Sequence, residues 1–302
     1  MASELITTYE AFNPETVSYG AAKINKRGGK SIKILDSKKN SLILSTPLIL
    51  TWGINKMVDE DSGRASYNLA IQYPSENYGT DATREFYSKM RDLEDKILDD
   101  AVKHSKEWFN KDKMSREVAE ALYTPMLKHP YIKGTKEPDM SRAPSTKIKI
   151  SYWEGKFNTE LYDVNRNLLF EPDMTMGDDE FQALIPKASH IAALIQCNGI
   201  WFVGGKFGIS WQLVQAVIRR PVRIQGSCFV NLSSDDKKQI ETLNQQEDET
   251  VGEGEETEEH STQVQDSEDE EEEEVKVEVQ KEIEKKPKRK RNVRKKAMAE
   301  EE

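Results

Sequence analysis

The last 73 residues of this 302-residue chain hold no aromatic side chain: all 24 (5 Trp, 10 Tyr, 9 Phe) lie at or before Phe229. Whatever builds a core is therefore in roughly the first 232 residues, length enough to bury a substantial one. Only two cysteines occur, Cys197 and Cys228, both inside apolar strand-like segments. Such a pair excludes a disulfide framework and reads as two reduced core residues. The four histidines, His104, His129, His190 and His260, show neither metal-ligand spacing nor a paired cysteine, so no metal site is expected. No apolar run reaches the length of a membrane span, since Asn198, Lys206 and Gln212 interrupt the best one. The opening MASELITTYEAF has no basic flank and no apolar stretch, and no signal peptide is expected in it. These absences read as a soluble chain of a reducing compartment.

Catalytic patterns are scarce too. Gly28-Gly29-Lys30-Ser31 looks like the end of a phosphate-binding loop, but Ile24 stands where that loop needs its first glycine, and a strand follows. Gly204-Gly205-Lys206-Phe207-Gly208 does not fit the dinucleotide fingerprint. No serine-centred nucleophile motif occurs, and single carboxylates such as Glu154 or Asp163 read as solvated strand ends. The expectation is a protein that is not an enzyme, with no catalytic residue, cofactor or metal.

Charge is distributed unevenly. Residues 1–232 hold 31 Lys+Arg against 29 Asp+Glu, and residues 233–302 hold 13 against 25. The net charge of −10 thus belongs to the C-terminal part. Residues 247–274 contain sixteen acidic residues and no basic one, whereas KKPKRKRNVRKK at 285–296 holds nine basic ones. Blocks of like charge with little apolar content cannot bury enough surface to fold, so 233–302 is expected to be a disordered tail. Its acidic half can mimic phosphate. Its basic run reads either as a non-specific nucleic-acid contact or as a nuclear-import signal.

What is present is organised around residues 191–229. Gly204 and Gly205 separate two alternating runs, a strong signal for a two-residue hairpin turn. That turn sets Val203 against Lys206, Phe202 against Phe207 and Ile200 against Ile209. One face then carries Ile200, Phe202, Phe207, Ile209, Trp211 and Leu213 as core, and the other Trp201, Val203, Lys206, Ser210 and Gln212. The alternation breaks after Leu213, as a bulge or a doubly buried strand requires, and a last short strand is expected to end near Phe229 or Leu232. Upstream, short strands are read between Val17 and Trp52, with Ile32 and Ile34 on one face and Lys33 on the other. RASYNLAIQY at 64–73 places Tyr67, Leu69, Ile71 and Tyr73 together. From Asp81, Phe86, Met90, Leu93, Ile97 and Ala101 recur at helical spacing, with Asp81 or Thr83 as cap. A shorter helix begins at Ser115 and ends before Pro125. Residues 128–146 read as loop, then come TKIKISYW, NTELYDV and LLFEP as strands with a turn at Asp163–Asn167. Asp173–Asp179 reads as loop. Strands, a helical insertion and strands again suggest α+β.

Three sets interleave cations with aromatics on polar strand faces. The first is Lys23, Lys26, Arg27, Lys30 and Lys33. The second is Lys147 and Lys149 with Tyr152 and Trp153. The third is Trp201, Lys206, Arg219, Arg220 and Arg223. Outward lysines are commonly just solvated, and a tryptophan such as Trp153 is commonly core. A positively charged groove lined with stacking rings is, however, what single-strand binders use.

TKIKISYWEGKFNTELYD at 146–163 and SHIAALIQCNGIWFVGGKFGISWQLVQAVI at 189–218 resemble the single-stranded-DNA-binding proteins of nucleocytoplasmic large DNA viruses, of the African swine fever virus type. A KIKI-type strand leads to Thr159, Leu161 and Asp163, and Gly208, Ile209, Ser210 and Trp211 run into a Val/Ile-rich strand. The resemblance covers roughly 146–223. It implies an OB-like β-barrel that binds single strands irrespective of sequence in viral replication, repair or recombination. The expected architecture is therefore α+β: residues 1–232 as an OB-like nucleic-acid-binding domain with a helical insertion at about 81–125, and 233–302 as the tail. The expected partners are single-stranded DNA and replication proteins met through the acidic tail, with no membrane. The expected location is the host nucleus or a cytoplasmic viral factory, with packaging in the virion as a further possibility. The other function class is a virion structural or assembly protein, with a β-rich packing module and a charged tether.

Overall fold

A computed structural model describes residues 2–24, 28–60, 62–75, 78–222 and 230–250. The chain divides into two units, residues 1–227 and 228–302. In the first, thirteen of the strands among the described residues join one sheet, beside two two-stranded pieces. Five long-range strands organise it: β1 (Ile49–Val58), β2 (Ala65–Gln72), β3 (Ser145–Ile150), β4 (Ser189–Val203) and β5 (Lys206–Arg219). β1 pairs antiparallel with β2, β2 antiparallel with β3, β3 parallel with β5, β5 antiparallel with β4, and β4 antiparallel with β1. Each of the five thus has two partners within the set, in the cyclic order β1-β2-β3-β5-β4.

The hairpin holds the expected register. Gly204 and Gly205 take φ of 57° and 78°, and Val203, Phe202 and Ile200 face Lys206, Phe207 and Ile209. The break after Leu213 is a bulge: Leu194 faces Gln215 and Ile195 faces Leu213, leaving Val214 over. Phe207, Trp211 and Leu213 are fully buried, as are Tyr67, Leu69, Ile71 and Tyr73 of the alternating β2 stretch. Ile32 and Ile34 are buried with Lys33 exposed between them. Cys197 is buried and free, and burial pushes its thiol up to about 12. Cys228 lies outside the described residues, as does the expected last strand up to Phe229, while residues 230–232 are not strand.

The insertion after β2 holds α1 (Asp81–Lys103), α2 (Ser105–Phe109) and α3 (Arg116–Leu122). The cap of α1 is Thr80 rather than Asp81 or Thr83. Its side chain accepts from the Thr83 N–H while the Thr83 hydroxyl accepts from the Thr80 N–H, a reciprocal box that satisfies two otherwise orphaned donors. Phe86, Met90, Leu93 and Ile97 form its buried stripe. Residues 123–124 and 127–128 are short strands on β5 and β3, so part of the expected loop adds to the sheet.

Glu94 of α1 joins helix to strand. Its carboxylate accepts from the Met126 and Leu127 N–H groups and from the Tyr123 hydroxyl. Burial raises its pKa above the ordinary 4.5, against those three hydrogen bonds. A carboxyl whose folded pKa lies above its unfolded one contributes stability at low pH and loses it as pH climbs through the folded value. Glu94→Gln keeps an acceptor and removes the charge. The melting temperature of the wild type should therefore fall relative to that of Glu94→Gln as pH rises above 4.5. A pH-independent difference between the two would show that Glu94 ionises as freely folded as unfolded.

Two stretches depart from the sequence reading. Residues 178–184, the first two of them in the expected Asp173–Asp179 loop, form α4 (Asp178–Leu184), which buries Phe181. Gly177 precedes it, the Glu180 carboxylate accepts from the Gly177 N–H, and three acidic residues fill its first turn, where the helix dipole favours them. In the second unit the expected disordered tail begins instead with α5 (Ser234–Thr250). Ser233 and Asp236 cap it reciprocally, and Lys, Gln, Glu and Leu are good helix formers. Its Ile240 and Leu243 stay exposed. Residues 251–302, with the acidic and basic runs, lie outside the described residues.

Candidate nucleic-acid interface

Beyond Ile150 the chain leaves β3 and turns back in a small hairpin, Tyr152–Trp153 with Lys156–Phe157. The expected single strand 146–153 is thus two pieces. Glu154 and Gly155 take φ of 50° and 82°, the double positive-φ geometry of a tight two-residue turn. Tyr152 pairs with Phe157 and Trp153 with Lys156, so the two pairs face opposite ways. The inner pair is anchored. Phe157 stacks on Phe181 of α4 at 3.6 Å, and Tyr67 of β2 meets both Phe157 and Tyr152 at 4.8 Å between ring centres. The Lys56–Asp178 ion pair, 2.6 Å, ties β1 to the first residue of α4, and the Lys56 ammonium holds the Asp178 carboxyl below the usual range.

The outer pair is left to solvent, and Trp153 is 65% exposed. The Arg64 guanidinium, just before β2, lies 5.8 Å from its ring centre, within reach of a cation–π interaction. Together they stand over a cleft of about 690 Å³ whose lining includes Arg64, Asn68, Lys147, Lys149, Tyr152 and Trp153. Among the described residues lining it, Glu154 is the one carboxylate, against three cations. Lys147 and Lys149 project outward because Thr146, Ile148 and Ile150 of the same strand face the core. Asn55, Asn68, Lys149, Gln212 and Gln196 are successive register partners across all five strands, so a polar row crosses the outer face. The side-chain amide oxygen of Asn68 is buried with no hydrogen-bond partner among the described residues.

Of the residues singled out from the sequence, the cleft brings together the whole second set, Lys147, Lys149, Tyr152 and Trp153. Lys206 is exposed at the β4–β5 turn, at the other end of the sheet from Trp153 by the β3–β5 register. Trp201 is half-buried beneath that turn and lies against Gly208, where a Cβ would come within 2.7 Å of its ring. Lys23 is exposed on a short N-terminal strand and Lys33 is exposed between two others. Lys30 is engaged: its ammonium donates to the Glu107 and Trp108 carbonyls at 2.6 and 3.0 Å, at the end of α2, and lies 5.5 Å from the Phe202 ring centre. Arg219 is exposed as the last residue of β5 and Arg220 just after it, with the Arg220 Nε donating to the Leu184 carbonyl. Lys26, Arg27 and Arg223 lie outside the described residues. The sequence reading missed Arg64 and Asn68, which reach the cleft through the β1–β2 connection and the β2–β3 pairing, with no local signal for either.

Three comparisons bear on the chain. No curated protein matches it. Among solved structures, the single-stranded DNA-binding protein of bacteriophage Enc34 in complex with ssDNA is 11% identical, with 68% of this chain and 98% of that one covered and a TM-score of 0.36. The gp2.5 single-stranded DNA binding protein of bacteriophage T7 is 13% identical, with 72% and 98% covered and a TM-score of 0.34. Likenesses this distant carry no argument about fold or activity. A family model described as protein of unknown function (DUF2738) matches residues 9–276, the greater part of the chain, and the protein belongs to that family.

Proposed function

We propose that this protein binds single-stranded DNA, without sequence preference and without chemistry, on the outer face of β2 and β3. The observation that carries the reading is the exposed Trp153 ring, with Arg64 beside it, over a cleft bearing Lys147 and Lys149. Bases stack on the ring irrespective of identity, and phosphates are neutralised by the cations. We read the cyclic β1-β2-β3-β5-β4 order as an OB-like barrel. In that architecture the face of strands 2 and 3 and the loops between strands 1 and 2 and strands 4 and 5 receive oligonucleotides. Lys147, Lys149 and Trp153 belong to that face, Arg64 ends the first loop and Lys206 leaves the second. The resemblance of 146–163 and 189–218 supports the finer proposal of a role in viral genome replication, repair or recombination. We further propose, on the strength of that resemblance alone, the host nucleus or a cytoplasmic viral factory as its location, or packaging in the virion, with replication proteins as partners of the acidic tail.

Fluorescence anisotropy of a labelled single strand, titrated between about 50 and 200 mM salt, tests this. Affinity should fall steeply with salt, and Lys147→Ala and Lys149→Ala should each reduce the log–log slope by about 0.7, the release expected per single-strand phosphate contact. A flat titration would overturn the proposal in favour of the virion-assembly reading.

A further inference from the structure

We propose that Trp52 is a second base-stacking platform, at the end of the β2–β3 face opposite Trp153, so that one single strand runs along this face between the two rings. The inference rests on the single-strand reading and extends it to a surface outside the cleft.

Trp52 lies on β1 and is 48% exposed. An exposed tryptophan on a strand is usually free to swing, but this one is held. Its Nε1 donates to the Gln72 Oε1 at 3.3 Å. The Gln72 amide in turn donates to the Tyr73, Ala143 and Pro144 carbonyls at 3.2, 2.9 and 3.0 Å. A ring fixed in this way loses little rotamer freedom on stacking, which is the cost that weakens mobile platforms.

Its position is set by register. Thr51 faces Ile71 and Ile54 faces Leu69, with a bulge between, and the Thr51 hydroxyl donates to the Ala70 carbonyl. Thr51 and Ile54 are buried, so Trp52 projects from the outer face at the level of Ala70. Ala70 is the partner of Lys147. Trp52 and Lys147 are therefore two strand spacings apart, about 10 Å, with only a methyl group between them. Three residues of strand, again about 10 Å, separate that level from Ile150, the last residue of β3 before the Trp153 hairpin. Lys149 lies between the two levels. The face thus presents ring, cation, cation and ring in sequence, and its residues Asn68, Ala70, Gln72, Lys147 and Lys149 include no carboxylate. An apolar protein segment would leave those two ammonium groups without a partner, whereas a polyanion with stackable bases satisfies both.

The test measures anisotropy with the full chain, using labelled single strands of about 4 and about 16 nucleotides, the range one OB fold accommodates. Trp153→Ala should weaken both. Trp52→Ala should weaken the longer strand by about 5- to 150-fold and leave the shorter one nearly unchanged, with Trp52→Phe restoring much of the loss. Unaltered melting temperatures confirm that the variants are folded. If Trp52→Ala binds the longer strand as tightly as the wild type while Trp153→Ala does not, Trp52 is off the track and the single-strand reading stands. If the wild type binds neither strand, the single-strand reading falls and this inference with it.

Discussion

Gly199→Ala is expected to destabilise the protein by about 2–6 kcal/mol, the sum of a positive-φ penalty and an overpacking penalty. Gly199 takes φ +98° beside a bulge in β4, where Cys197 faces Trp211 and Gly199 faces Ser210. On its other side the next residue, Ile200, pairs with Ile32. A Cβ at 199 would sit against the Ile32 carbonyl oxygen, well inside van der Waals contact, and within 3.0 Å of the Lys33 backbone. Both obstacles are backbone, so no side-chain rotation relieves them. Urea unfolding of the purified chain measures the effect. A midpoint equal to that of the wild type would mean that β4 and the Lys30–Ile32 strand pass farther apart than described.

Trp153→Ala is expected to cost about 1–3 kcal/mol of single-strand binding, the value of one stacked base, while leaving the melting temperature unchanged. The separation of the two effects follows from the hairpin. Phe157 and Tyr152 hold it to the core, and Trp153 faces solvent on the opposite side. Arg64→Ala should produce a smaller loss, since an exposed cation–π contact is worth about 0.5–1 kcal/mol. The reverse pattern, unchanged binding with a lowered melting temperature, would make the Trp153 ring structural and sink its assignment.

Local signals were legible wherever a few consecutive residues decide the outcome. Gly204-Gly205 fixes the β4–β5 register because only positive φ closes a two-residue turn, and alternation places Tyr67, Leu69, Ile71 and Tyr73 inward because the strand period is two. The stripe of α1 follows from its spacing for the same reason. Its cap at Thr80 was missed because Asp81 and Thr83 are equally good capping types, and only backbone geometry chooses among them. α4 was missed because seven residues carry too little periodicity. The site was half legible: Lys147, Lys149 and Trp153 share one stretch, so their joint appearance on a polar face could be read. Arg64 and Trp52 arrive from β1 and the loop after it, and their neighbours are set by strand pairings between distant segments. A residue such as Gly53 shows the limit plainly. Its φ of +89° and its closeness to the Ile185 carbonyl depend on a segment more than a hundred residues away.

The cyclic strand order also sets a timetable for synthesis. β2 follows β1 within a few residues, so this hairpin forms early, yet the second partner of β1 is β4, which begins roughly 140 residues later. At a ribosomal pace of about 5–20 residues per second, the free edge of β1 waits roughly 7–30 s. The outer edge of β3 waits as well, because β5 comes last of the five. Open strand edges are templates for pairing with other chains, and the nascent protein carries two of them until β4 has been made and one until β5 follows. The insertion bearing α1 to α3 is translated inside that interval, when its local helical contacts are the part of the fold that needs no later strand.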